Sequence, residues 1–484
     1  MTNPKSAIAA LLFLGLQWGG SMAVAESKGG GCGDRLESEI TAIQRRYAPS
    51  GRERWGILAA TVNPSPTLYR QNDRQYFIPA SNTKLLTTAA ALHRLGGSFR
   101  IRTSVYRTAD GVRIVGRGDP SIGREQLDLL AAQIAEAGIR QIDRLVAEDA
   151  YFRGSPYNPH WQWEDVQSGY GTPVNSLIFD LNSIPFTLFP QAVGQPLRLE
   201  WDDPQEDKIW RVENQTITVA EGEPEFIEVG RDFTQPILYL RGQLIAGSPS
   251  EATAVAVTEP GRRFVDQFQQ ALAAAGVTVE RTEVTAEPSS EAGEEIAAIE
   301  SPPLSELVQE ENQNSNNLYA EALLRSLGVF QDPANGDSAA AGIAAVKKSL
   351  SELGVDPSSY LLDDGSGLSR LNAISPEALV QTLQAAIRSP FAAIYRESLP
   401  LAGETGTLGN RFVDSPLQGN VRAKTGTLAG VSALSGYLYP DGENPLSFSI
   451  IVEAIDLSVT NQRQAIDEIV GAIDRCYSRD GRGK

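Results

Sequence analysis

Histidine is almost missing from this chain: 484 residues carry two, His93 and His160. They lie far apart and neither stands in an H-E-x-x-H arrangement, which argues against a zinc peptidase and against a Ser-His-Asp hydrolase. No metal or cofactor is expected. Basic residues are also short, with 42 Lys and Arg against 60 Asp and Glu and a formal net charge of -18. Such a surface repels phosphate backbones and anionic lipid, so no nucleic-acid role and at most weak membrane association are expected. Beyond the N-terminus no run is long and apolar enough to span a bilayer, and no fixed-period repeat suggests a solenoid or propeller.

The N-terminal apolar run is itself too short for a comfortable transmembrane helix. Lys5 precedes AIAALLFLGL, and Ala23-Val24-Ala25 offers a small-x-small cleavage pattern, so residues 1–25 are expected to be a signal peptide directing export. Cysteine is equally scarce, two in all. In an oxidising compartment Cys32 and Cys476 form either a disulfide closing a loop of 476 - 32 = 444 residues or two unrelated thiols. A bond would contribute roughly 4 to 5 kcal/mol by chain entropy.

What is present is enough hydrophobic content, 41%, for more than one core. GDRLESEITAIQRRY (33–47) places Leu36, Ile40 and Ile43 on one helical stripe. WGILAATVNP and PTLYRQN read as an antiparallel hairpin leading into a helix that begins near residue 81. From about 101 to 299 the chain turns to short strands, helices and turn signals, an expected insertion of one or two smaller domains. VTAEPSSEAGEEIAA (284–298) reads as a surface connector. VRAKTGTL, VSALSGYLYP and LSFSIIVEA then form three strand candidates, and TNQRQAIDEIVGAIDRCY puts Ile466, Ile469, Val470 and Ile473 on one face. This pattern predicts an antiparallel sheet closed by a terminal helix; if the first and last helices pack side by side, Cys32 approaches Cys476.

The chemistry sits in three short motifs. Ser81-Asn82-Thr83-Lys84 sets a hydroxyl and an amine one helical turn apart, where desolvation would lower the lysine's pKa and make it a base. The plainer reading makes Ser81 a helix cap and Lys84 a solvated side chain. Ser315-Asn316-Asn317 is the only S-x-N in the chain. Lys424-Thr425-Gly426-Thr427 lies on a predicted strand where Gly426 would let a substrate backbone approach. In this order the three resemble the S-x-x-K, S-x-N, K-T-G set of serine penicillin-recognising enzymes.

Lys84 and Ser315 are 315 - 84 = 231 residues apart, which fits an inserted region. GRGDPSIG (116–123), WQWEDV (161–166), DDGSGLSR (363–370) and LPLAGETGTLGNR (399–411) follow in order. With them the chain resembles the D-alanyl-D-alanine carboxypeptidase/endopeptidase family of low-molecular-mass penicillin-binding proteins, peptidase family S13, the DacB-like group. The resemblance implies an α/β (α+β) fold: a β-lactamase/transpeptidase-like domain of residues 26–100 and 300–484, with an antiparallel sheet flanked by helices and interrupted by 101–299. It also implies a periplasmic enzyme cutting D-Ala-D-Ala on peptidoglycan stem peptides and acylated covalently by β-lactams.

By resemblance, Ser81 is the nucleophile, Lys84 its base, and Ser315 the donor to the departing D-alanine. Asn317 orients Lys84 and the substrate amide, and Lys424 adds positive potential. Backbone N–H groups of Ser81 and Thr427 form the oxyanion hole, while Thr425 and Thr427 hold the terminal carboxylate. Asp165 and Arg370 flank the stem's diamino acid in this family; an ion pair or a surface charge is the alternative for both. Ala429 stands where some relatives carry a polar residue. A β-lactamase and a non-catalytic peptidoglycan binder remain as alternatives, although no E-x-x-L-N segment supports the former. Arg117-Gly118-Asp119 spells an adhesion tripeptide but reads better as a tight turn.

Overall fold

The computed structural model describes residues 32–62, 66–290, 293–439 and 444–479; the expected signal peptide, 1–25, lies outside the described residues. The two ends of the chain build one sheet. Its five antiparallel strands run in the order Val421–Leu428, Val431–Leu438, Leu446–Glu453, Arg54–Thr61, Thr67–Gln71. The ends join where Arg54 pairs with Glu453 and Thr61 with Leu446. The three inner strands are buried almost throughout, so they read as continuous apolar and small residues rather than alternating ones.

Helices cover both faces. On one, Leu36, Ile40 and Ile43 of the first helix, Cys32–Tyr47, meet Ile466, Ile469, Val470 and Ile473 of the last, Val459–Arg479, over Phe448 and Ile450. That packing carries a disulfide from Cys32 to Cys476, with a Cα separation of 5.4 Å. The other face holds Lys84–Leu95, Leu304–Gln313, Asn317–Gln331, Ser338–Glu352 and Pro376–Ile387 around Leu85, Leu86, Leu323, Leu379 and Leu383.

The chain leaves this layer at Ile101 and returns at Ser301, whose N–H donates to the Ile101 carbonyl at 2.8 Å. Between these points lie two further cores. One is a mixed sheet in the order Thr278–Thr285, Gln141–Glu148, Gly111–Val115, Arg102–Thr108, Glu294–Glu300, covered by helices Arg124–Glu136 and Pro260–Ala274 through Phe264, Phe268, Leu130 and Leu145. The other packs two three-stranded sheets around Phe186, Trp201, Trp210, Leu238 and Leu240. The expected connector departs from its sequence reading, because Glu294–Glu300 is an edge strand paired with Arg102–Thr108. Its acidity serves that pairing: Glu295 and Glu300 both form ion pairs with Arg102. Asp119 of the Arg-Gly-Asp tripeptide is buried and accepts from the Ser121 N–H and hydroxyl, a turn closed on itself.

Candidate active site

Ser81 lies in a 3-10 turn, Ala80–Thr83, that runs directly into the helix beginning at Lys84. Ala80 is held at φ 48° and Ser315 at φ 57°, left-handed conformations that cost a residue with a Cβ roughly 1–2 kcal/mol. Surrounding structure enforces the first. Gly367 presses on the turn so closely that a Cβ there would sit 1.9 Å from the Ala80 carbonyl oxygen. Ser81 caps nothing, and Lys84 is fully buried, so the reading of a cap beside a solvated lysine fails.

The buried Lys84 Nζ has three acceptors: Ser81 Oγ at 3.0 Å, Asn317 Oδ1 at 2.6 Å and the Ser366 carbonyl at 2.7 Å. Every ammonium proton therefore has a destination, one of them the serine hydroxyl. Burial pushes the Lys84 pKa down to about 8, against the opposing pull of Glu311, Asp364 and Glu321. Asn317 opens its helix, and its amide donates to the Tyr170 carbonyl at 2.9 Å, which fixes the oxygen toward Lys84.

The second serine and lysine make a similar pair. Lys424 Nζ donates to Ser315 Oγ at 2.7 Å and to the Thr425 carbonyl at 3.0 Å. Burial, then the nearby charge of Lys84, lowers the Lys424 pKa well below the usual amine value. Gly426 also has a packing role. A Cβ would lie 2.7 Å from the Pro79 carbonyl and 2.8 Å from Asn82 Nδ2, so its absence lets this edge strand close on the Ser81 turn. The Asn82 amide then donates to the Lys424 carbonyl at 3.2 Å.

Thr425 Oγ1 donates to Thr407 Oγ1 at 2.8 Å, and Arg463 Nη2 donates to Thr427 Oγ1 at 3.2 Å. Asp165 is nearly buried, takes the Tyr170 hydroxyl at 3.1 Å and has its pKa raised by that burial. Arg370 reaches the Ala429 carbonyl at 2.7 Å and Gln162 Oε1 at 3.2 Å, and among the described residues it forms no ion pair with Asp165. The histidines stand apart from the two serines: His93 meets Glu352 and His160 meets Asp363.

Buried carboxyls were missing from the sequence reading. Glu311 is fully buried and, among the described residues, takes only the Thr88 hydroxyl at 3.2 Å and leaves Oε1 without a partner; burial raises its pKa to about 8 while Lys84 opposes that. Glu321 accepts the N–H groups of Gly365 and Ser366, holding the carbonyl that Lys84 uses. Asp364 binds the N–H groups of Gly367 and Ser369 and the Trp161 indole. Glu311 had a signal, since Leu304, Val308 and Glu311 fall at i, i+4 and i+7 on one helical face.

The D-Ala-D-Ala carboxypeptidase 3 (S13) family matches residues 38–475, and the chain belongs to it. A D-alanyl-D-alanine carboxypeptidase from Actinomadura sp. (strain R39) is 33% identical over 455 residues, covering 90% of this chain and 83% of that one. DacB of Haemophilus influenzae, also named a D-alanyl-D-alanine carboxypeptidase, is 26% identical over 398 residues, 79% and 82% of the two chains. The crystal structure of penicillin binding protein 4 (dacB) from Haemophilus influenzae superposes with a TM-score of 0.76 at 22% identity, over 90% of this chain and 99% of that one. It shares the fold. Among the described residues no helix is long and apolar enough to cross a membrane.

Proposed function

We propose that the protein is an exported, periplasmic serine-type D-Ala-D-Ala carboxypeptidase acting on peptidoglycan stem peptides, with DD-endopeptidase action on cross-linked stems as a second activity of the same site. The observation that carries the reading is the doubled pair, Lys84 Nζ on Ser81 Oγ and Lys424 Nζ on Ser315 Oγ, with both amines buried. Relatives named D-alanyl-D-alanine carboxypeptidase support the substrate. Residues 101–299 are taken as inserted domains between the two parts of the catalytic one.

In this reading Ser81 Oγ attacks the carbonyl carbon of the penultimate D-alanine and passes its proton to neutral Lys84. With a pKa of about 8, roughly a tenth of Lys84 is neutral at pH 7. The oxyanion is held by the backbone N–H groups of Ser81 and Thr427. Collapse breaks the C–N bond, and the leaving amine takes the Ser315 hydroxyl proton, which Lys424 replaces. Water then attacks the ester while its proton passes through Ser315 to Lys424; the acyl C–O bond breaks and Lys84 returns its proton to Ser81 Oγ, which restores both amines. Thr425, Thr427 and the Arg463 guanidinium beside them suit the substrate's terminal carboxylate. Asp165 and Arg370 suit the charged end of a diamino acid.

Benzylpenicillin tests the assignment, with mass spectrometry and peptide mapping over time. A long-lived adduct on Ser81 is expected. Rapid adduct loss with accumulating hydrolysed drug would mean a β-lactamase instead, and no adduct on folded protein would mean a non-catalytic binder.

A further inference from the structure

A cleft of about 1200 Å³, lined by no residue of the three motifs among the described residues, lies between the second inserted core and the helix Pro260–Ala274. Its walls are polar but close to neutral. Three arginines face four carboxylates, and two pairs cancel directly, Arg263 on Glu206 at 2.8 Å and Arg262 on Asp266 at 2.7 Å. On a chain with net charge -18, a near-neutral cleft suits a ligand without strong charge. Glutamine amides fill much of the lining. Gln235 and Gln267 have no side-chain partner among the described residues, leaving paired donors and acceptors for vicinal hydroxyl and acetamido groups. Tyr157 and Phe233, both partly exposed, add aromatic faces on which the C–H face of a pyranose can lie.

The cleft lies beside the segment that borders the catalytic residues. Phe233 stands 4.6 Å from the exposed ring of Trp163, in the segment that carries Asp165. The Arg231 N–H donates to Gln167 Oε1 at 3.0 Å, and the Gln167 amide donates back to the Trp163 carbonyl at 2.8 Å. Tyr170, at the end of the same segment, bonds Asp165 through its hydroxyl and Asn317 through its carbonyl. Tyr157 both lines the cleft and packs with Leu318 and Leu368 of the catalytic layer.

From this geometry we infer that the cleft binds the neutral glycan of peptidoglycan, a chain of N-acetylated amino sugars, while a stem attached to that glycan reaches Ser81. The inference rests on the proposed peptidase reading. It makes the inserted region a second grip on the same polymer, so a stem presented on its glycan binds better than the free peptide.

The test titrates a hexamer of β-1,4-linked N-acetylglucosamine, which has no stem, into the full chain and into the Gln235→Ala/Gln267→Ala double variant, read by calorimetry. Saturable binding is expected, at least tenfold weaker in the double variant. A second readout compares KM for a free pentapeptide with KM for the same pentapeptide on its disaccharide. The expected result is a KM at least several-fold lower for the linked form, a gap closed by the double variant, with free-peptide kinetics unchanged. No heat from the wild type at millimolar sugar, or equal affinity in both proteins, overturns the inference. So does displacement of a bound free stem peptide from the cleft. Failure of the peptidase reading has a separate signature, absence of a penicillin adduct on Ser81, and the sugar titration still reads the cleft.

Discussion

Two regions of this molecule hold charged and polar groups in opposite ways. Around Ser81 the amines of Lys84 and Lys424 and the carboxyls of Glu311 and Glu321 are buried together, with little water to screen them. In the cleft of the inserted region, charges are paired off, Arg262 with Asp266 beside solvent and Arg263 with the buried Glu206, and neutral amides line the wall. Burial changes what a group does: it shifts Lys84 and Glu311 toward the same proton affinity, about 8 each. The first region is arranged to move protons, the second to hold a ligand, and substitutions should affect them independently.

The largest effect is expected from Lys84→Ala. It removes the amine from Ser81 and should lower the acylation rate by benzylpenicillin at least about a thousandfold, consistent with loss of a base that acts as a unit with its serine. Circular dichroism should show the fold intact, and hexamer binding in the cleft should not change. Retained acylation would sink the role given to Lys84. Gly426→Ala comes next. Its Cβ would meet the Pro79 carbonyl and Asn82, so the edge strand must retreat from the Ser81 turn. An overpacking cost of about 1–3 kcal/mol is expected, together with roughly a 10- to 100-fold loss in acylation from misplaced groups. If Gly426 serves only substrate approach, thermal stability will stay at the wild-type value.

The three motifs were legible because their residue types and order carry the chemistry without needing tertiary context. The helix stripes at Leu36, Ile40 and Ile43 and at Ile466, Ile469, Val470 and Ile473 were legible because periodicity alone determines their buried face. The buried carboxyls were not, since charge argues for exposure, and only the position of Glu311 on an apolar stripe contradicts that. Glu294–Glu300 was missed for a different reason: its partner, Arg102–Thr108, lies almost two hundred residues earlier, and no local pattern announces such a pairing. Gly426 was singled out, but its neighbour proved to be protein backbone. The cleft draws on loops and a helix between residues 157 and 273, an assembly that only tertiary structure reveals.

Arg463→Ala probes a smaller contribution. Its guanidinium lies exposed next to Thr427 and would meet the substrate carboxylate, where a charge-assisted bond is worth about 1.5–3 kcal/mol. KM for a D-Ala-D-Ala peptide should rise about tenfold with kcat nearly constant; Arg463→Lys should restore part of the loss. A fall in kcat with unchanged KM would instead place Arg463 outside carboxylate recognition.

The smallest expected change, Glu311→Gln, tests how closely the buried charges are coupled. Glu311 and Lys84 titrate as a pair, so their apparent pKa values belong to both. The carboxylate favours the Lys84 ammonium, opposing the effect of burial. Glutamine keeps the shape and removes that anion, so the amine loses its proton at lower pH. The acid limb of the acylation profile, expected near pH 8 in the wild type, should move downward, with the gain in rate largest around pH 8, where about half of Glu311 is ionised, and little change at pH 6, where its carboxyl is protonated. Glu311→Asp retains the charge and should leave the limb near its original place. An unmoved or upward-shifted limb in the glutamine variant would mean that the Glu311 anion does not set the proton affinity of Lys84, whereas the expected shift would separate a charge effect from a packing one.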